Sequence, residues 1–126
     1  MALKLVETKN APAAIGPYSQ GVKAGNMIFT SGQLHFNPEN GELVKGDIQK
    51  QTRQSLENVK AILEEAGATL EDVVKVSIFL TDMTKFSLVN EVYAEYFSNH
   101  KPARSCVAVK DLPAGGEIEI EAIAVI

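Results

Sequence analysis

Hydrophobic and polar positions recur along this chain with two different spacings, and each change of spacing marks an element. In the closing stretch EIEIEAIAVI, Ile118, Ile120, Ala122 and Ala124 fall on one side. Glu117, Glu119 and Glu121 fall on the other, continued by Ile123 and Val125. A spacing of two belongs to a strand with two distinct faces. Upstream, Pro102 stops any helix, and Arg104, Cys106 and Ala108 alternate with Ser105, Val107 and Val109 in a second strand. From Asp47 the spacing lengthens. Ile48, Thr52, Leu56, Val59, Leu63 and Ala66 share one helical face, while Lys50, Arg53, Glu57, Lys60 and Glu64 lie elsewhere. Asp47 suits the N-cap of this helix and Gly67 its C′ position. Val74, Val76, Ile78 and Leu80 then alternate with Lys75, Ser77 and Phe79, predicting a strand. Phe86, Val89, Tyr93 and Phe97 return to helical spacing behind a cap in Asp82-Met83-Thr84.

The first third of the chain reads as short strands and shaped loops. A strand is expected over Lys4 to Thr8, followed by the loop NAPAAIGPYS, which two prolines and a glycine bend and which ends at Tyr18 and Ser19. A further strand near Gln20 to Lys23 turns at Ala24-Gly25-Asn26 into MIFTS, which stops at Gly32. Leu34 to Val44, with Asn37-Pro38 and Asn40-Gly41, is an irregular excursion. Strands interrupted by two long helices predict an α+β fold, with both helices on one face of a mixed sheet. The opposite face then carries Phe29, Ser31, Phe79, Arg104, Cys106, Glu119, Ile123 and Val125. Apolar groups recur there, so other subunits are expected to cover it, with sites at the interfaces.

Length and charge narrow the function. The 126 residues, 45% hydrophobic and 22% charged, suit one domain spanning 1–126 with its own core. A net charge of −4 opposes a broad nucleic-acid footprint, which draws on clustered Lys and Arg. A single cysteine forms no internal disulfide, and the opening MALKLVETKNAP has no apolar signal region, so a reducing cytoplasmic setting is expected. No apolar run approaches the ~18 residues of a membrane span. Two histidines and one cysteine lack the spacing of a metal site, and Gly115-Gly116 sits in a turn rather than in a phosphate-cradling loop. No cofactor is expected.

Placing Val107 and Ile120 toward the core sends Arg104, Cys106, Glu119 and Glu121 to a common surface, where a guanidinium, a thiol and carboxylates would meet. Arg104 and Glu119 in such a place are equally a structural ion pair between neighbouring strands or a functional pair. Local pattern does not separate Glu119 from Glu121. Cys106 is either a small packed residue or a nucleophile paired with His35 or His100. Tyr18 either plugs the end of the sheet or closes a pocket, and Ser31 and Asn90 are either structural hydrogen-bonding groups or pocket residues.

Several motifs, in order, are similar to one family. APAAIGPYSQGV, the TSGQ of Thr30 to Gln33, QSLENVKAILEEAG, Val89-Asn90, PARSCV and IEIEAIAV together resemble the reactive intermediate deaminases (RidA, YjgF-like) over nearly the whole chain. The resemblance implies a chorismate-mutase-like fold assembled as a homotrimer around a central sheet barrel. The implied activity is hydrolysis of reactive enamine and imine intermediates, such as iminopropanoate derived from 2-aminoacrylate, to a 2-oxo acid and ammonia. It further implies that Arg104 holds the substrate carboxylate and that Glu119 handles water and protons. Gly32 and Cys106 would touch the ligand, Ser31 and Asn90 shape the pocket, and Tyr18 close it from the neighbouring subunit. One departure falls at Leu34-His35, where many members carry an apolar residue and proline, at the expected rim of the pocket. Two other functions stay in view: a non-catalytic 2-oxo acid sensor or chaperone-like protein using the same carboxylate pocket, and an RNA-cleaving translation inhibitor.

Overall fold

The structure is a computed structural model that describes residues 3–126. Its strands are β1 (Leu3–Val6), β2 (Gly21–Ala24), β3 (Met27–Thr30), β4 (Val73–Leu80), β5 (Ala103–Ala108) and β6 (Ile118–Val125). Helix α1 (Ile48–Glu65) precedes β4, and α2 (Phe86–Tyr96) connects β4 to β5. The six strands form one sheet in the order β1-β2-β3-β6-β4-β5. Only β4 and β5 run parallel, because α2 carries the chain back to the starting edge; the other neighbours are antiparallel. Gly25, with φ +62, opens the two-residue loop between β2 and β3, where a positive φ is needed.

Ile28, Val76, Ile78, Ile118, Ile120, Ala122 and Ala124 point from one face of the sheet into a single core with Leu56, Val59 and Leu63 of α1 and Val89 and Val92 of α2. Both helices therefore lie on one face, as the helical spacings predict. The Asp47 carboxylate accepts the Lys50 N–H at 2.9 Å, and Gly67 follows the helix with φ +90. α1 also buries a polar stripe that its apolar spacing does not announce: Gln51, Thr52, Ser55 and Asn58. Asn58 donates to the carbonyls of Leu34 and Phe36, so this stripe anchors the 34–44 excursion.

Two expectations are corrected. Val74 is 46% exposed, while Val73 is fully buried. A register shift between Val73 and Lys75 inserts an extra residue, which reverses the faces at the start of β4. Asp82 caps the short 3-10 turn Met83–Lys85 through the Thr84 N–H, and α2 begins after it with no side-chain cap. The sheet face away from the helices bears Leu5, Met27, Phe29 and Val125, all exposed.

Candidate functional site

β5 is an edge strand, and its register with β4 decides where its side chains go. Arg104 pairs with Val76 and Cys106 with Ile78, both core residues, so Arg104 and Cys106 stand on the helix side. There α2 presents Phe86, Asn90 and Tyr93, spaced by four and three residues and hence on one helical face. The Arg104 guanidinium lies 4.6 Å from the Tyr93 ring centre and 5.4 Å from that of Phe86, and its Nη1 donates to Asn90 Oδ1 at 2.7 Å. The ion pairs among the described residues are Arg53–Glu95 and Lys85–Glu117, so Arg104 has no carboxylate of its own. Cys106 packs against the core edge; burial pushes its thiol up, and the Arg104 charge opposes that only partly.

Glu119 stands on the other face. It pairs with Phe79 of β4, out of phase with Ile78 and Ile120. A common Arg104/Cys106/Glu119 surface therefore does not exist within the chain. β4 lies between β5 and β6, and the pleat that directs Ile120 to the core carries Glu119 away from it, while the same register carries Arg104 toward the helices. This also removes the ion pair between neighbouring strands. Val107, placed toward the core by sequence, is 48% exposed.

What Glu119 does meet is Gly32. A Cβ on Gly32 would sit 2.7 Å from the Glu119 carboxyl carbon, so only a glycine lets the carboxylate lie against this backbone. Gln33 fixes the approach by exchanging backbone hydrogen bonds with Ile120, at 2.7 and 3.0 Å. Half-buried, and beside Glu121, the Glu119 carboxyl is held above its usual range, first by loss of solvation and then by that like charge. Its neighbour one position before Gly32 is committed to structure: the Ser31 hydroxyl donates to the Ser19 carbonyl, and its N–H to that of Gln20. Buried Gln20 in turn donates to the carbonyls of Thr8, Ala11 and Pro12, which gives the loop before it a fixed shape. Tyr18 stands out from that loop, 52% exposed. It borders a cleft of about 830 Å³ shared with Leu5, Val6, Ala11 and Ser19.

The predicted residues thus form two half-sites: Arg104, Asn90 and Cys106 at the β5 edge above α2, and Glu119, Gly32 and Ser31 toward the other face, with Tyr18 on the loop whose Ser19 carbonyl accepts from Ser31. Sequence inspection treats Phe86 and Tyr93 as core residues only. Their spacing with Asn90 is the signal that joins all three to Arg104. Leu34 and His35 are 9% and 2% exposed and point inward, so the departure there alters the packing beneath the loop rather than a rim.

Comparison with known proteins agrees with this architecture. Residues 8–126 match the family described as Endoribonuclease L-PSP. A 2-iminobutanoate/2-iminopropanoate deaminase of Escherichia coli is 55% identical over 125 residues, covering 97% of each chain. A crystal structure of a putative endoribonuclease from Thermotoga maritima superposes with a TM-score of 0.96 at 60% identity, covering 98% of this chain and 97% of that one. Escherichia coli TdcF with bound serine gives 0.94 at 51% identity, with 98% of each chain covered. The chain belongs to the Endoribonuclease L-PSP family, the group of the RidA- and YjgF-like reactive intermediate deaminases that its motifs resemble.

Proposed function

We propose that this protein, a single domain over 1–126 acting in the cytoplasm, is an enamine/imine deaminase. It converts 2-aminoacrylate-derived iminopropanoate and water to a 2-oxo acid and ammonia. One observation carries this: Arg104 is held on an aromatic shelf, with no carboxylate partner among the described residues, at an open edge of the sheet. Its planar fork suits a substrate carboxylate held by two parallel hydrogen bonds. A relative named 2-iminobutanoate/2-iminopropanoate deaminase, and one whose structure contains bound serine, a small carboxylate, support this reading.

The two half-sites meet when a second copy covers the open sheet face. We place the working site between subunits of a homotrimer, with the Arg104 edge of one facing the Glu119, Gly32 and Tyr18 surface of the next. Arg104 anchors the carboxylate, with the backbone at Cys106 and the Asn90 amide beside it. Glu119 takes a proton from the water that adds to the imine carbon and delivers it to the nitrogen, giving a carbinolamine. It then carries the carbinolamine hydroxyl proton to the same nitrogen as the C=O bond forms and the C–N bond breaks, and ammonia leaves with the 2-oxo acid. An imine next to a carboxylate is already electrophilic, so placement and one proton-transferring group suffice. A carboxyl held above its usual range is better matched to that exchange than an ordinary one.

The test generates aminoacrylate from serine with a dehydratase and follows 2-oxo acid formation continuously. Wild type should accelerate it, Arg104→Ala should abolish the effect, and Glu119→Ala should lower kcat by about 10²–10⁴-fold. No acceleration, with Arg104-dependent binding of a 2-oxo acid, would leave a sensor in its place. Salt-dependent RNA binding and cleavage would instead support the endoribonuclease activity in the family's name.

A further inference from the structure

His35 is buried and makes two hydrogen bonds of opposite sense. Its Nδ1–H donates to the Val44 carbonyl at 2.9 Å, which leaves Nε2 to accept the Glu117 N–H at 3.0 Å. Only the neutral ring does both, and the two partners fix which nitrogen carries the proton. The ring thereby ties the 34–44 excursion to the residue that leads into β6. Its backbone neighbours lie on the same seam. Gly116 abuts Leu34, with room for no Cβ, Gln33 pairs with Ile120, and Gly32 lies against the Glu119 carboxylate. Glu117 immediately precedes β6 and lies two residues before Glu119.

We propose that His35 is a positioning residue for Glu119: its neutral ring clamps the Gly32–Gln33 strip onto β6, and protonation of Nε2 opens the clamp and misplaces the carboxylate. The step rests on Glu119 as the proton-transferring group. A charged ring has two donors, so Nε2–H would face the Glu117 N–H, donor against donor.

The charges around the ring set where this happens. Burial holds His35 below its usual value of 6.5, while the hydrogen bond to Val44 and the Glu117 carboxylate oppose that shift. Glu117 is itself engaged by Gln51 at 2.7 Å and by Lys85 at 3.3 Å, so Lys85 takes up part of the charge that would favour a protonated ring. On the α1 side the neighbouring group is the uncharged Asn58, bonded to the carbonyls on either side of His35.

The experiment measures pH–rate profiles of deamination together with NMR of the two histidines and of the Glu119 carboxyl. In wild type, the Gln33 and Ile120 amide signals should follow the His35 titration, and kcat should fall on the acid side with the steepness of two protons. His35→Gln carries its donor and its acceptor on one carbon, at a narrower angle than the two ring nitrogens, and so engages one partner at a time. It should lower kcat at pH 8 by about tenfold, leave KM within about twofold, and reduce the acid limb to the single proton of Glu119. Glu117→Gln keeps the backbone N–H but removes the carboxylate that favours the charged ring, so its acid limb should move to lower pH. Profiles of His35→Gln and Glu117→Gln that superimpose on wild type would overturn the proposal. If wild type shows no deamination, the NMR still decides: Glu119 and Gln33 signals that ignore His35 sink the clamp, and signals that follow it sustain the clamp while the deaminase falls. Should His35→Gln not fold, the wild-type titration and Glu117→Gln carry the same decision.

Discussion

Gly32 and Glu119 are a pair in which each explains the other. The glycine is needed for close approach, since a methyl group there would reach 2.7 Å from the carboxyl carbon. The clash is with the mobile end of a side chain, so Gly32→Ala should fold normally while displacing the carboxylate. Unchanged Tm with kcat reduced by about 10²-fold is the expected outcome, read by thermal melting beside the deamination assay. The carboxylate also opposes folding. Its folded pKa lies above the ordinary 4.5, so the folded state favours the protonated form. That contribution is fully present below 4.5 and is lost as pH rises through the folded value. Glu119→Gln should therefore raise Tm at pH 8, lose that gain at pH 4, and reduce kcat, the exchange of stability for function expected of a strained site. For His35 the sign is reversed. Its stabilisation is complete above 6.5 and is lost as pH falls from there through the lower folded value.

Among the elements, α2 does the work of a shelf. One face of it holds Phe86, Asn90 and Tyr93 under Arg104, while Val89 and Val92 enter the core, so the packing that fixes the helix also fixes the guanidinium. Long side chains lose rotamer freedom when they bind, and an arginine already held in place loses less. The hydroxyl of Tyr93 is buried without a partner among the described residues, whereas its ring is used. Tyr93→Phe should therefore keep KM and stabilise the fold by about 1 kcal/mol. Tyr93→Leu should raise KM about two- to fivefold, corresponding to the ~0.5–1 kcal/mol of one cation–π contact. Steady-state kinetics and denaturant titration of the two variants separate ring from hydroxyl. The β-bulge at Val73 to Lys75 plays the equivalent part in β4, since it restores the phase that sends Val76 and Ile78 inward and Phe79 outward beside Glu119.

At the scale of the whole molecule, the sheet has one satisfied face and one that is not. Leu5, Met27, Phe29 and Val125 remain exposed across β1, β3 and β6, next to the surface that carries Glu119. Apolar groups in such continuity mark an interface. If copies of the chain cover it, Phe29→Asp should convert a trimer to monomers by light scattering. Deamination should be lost with the trimer, although every residue of both half-sites is intact. A monomer of full activity would show that one chain holds a complete site by another route.

The elements are legible in the sequence because each is written in local spacing. The period of two in Ile118 to Val125, the 3.6-residue period of α1, the Asp47 cap and the glycine that follows the helix all depend on near neighbours, and the structure reproduces them. The helix-covered face and the exposed apolar face follow from the same pattern. Which face each site residue occupies does not. Arg104 and Cys106 lie in a strand whose two sides are both mixed, and the phase of that strand is set only by its pairing with β4. A single bulge reverses Val74, and a bridge between Gln33 and Ile120, 87 positions apart, brings Gly32 to Glu119. The sequence by itself determined the strands, the helices and the chemical groups available. Only the tertiary structure decided which of them meet, because register couples residues distant along the chain, and a shift of one position exchanges the two faces of a strand.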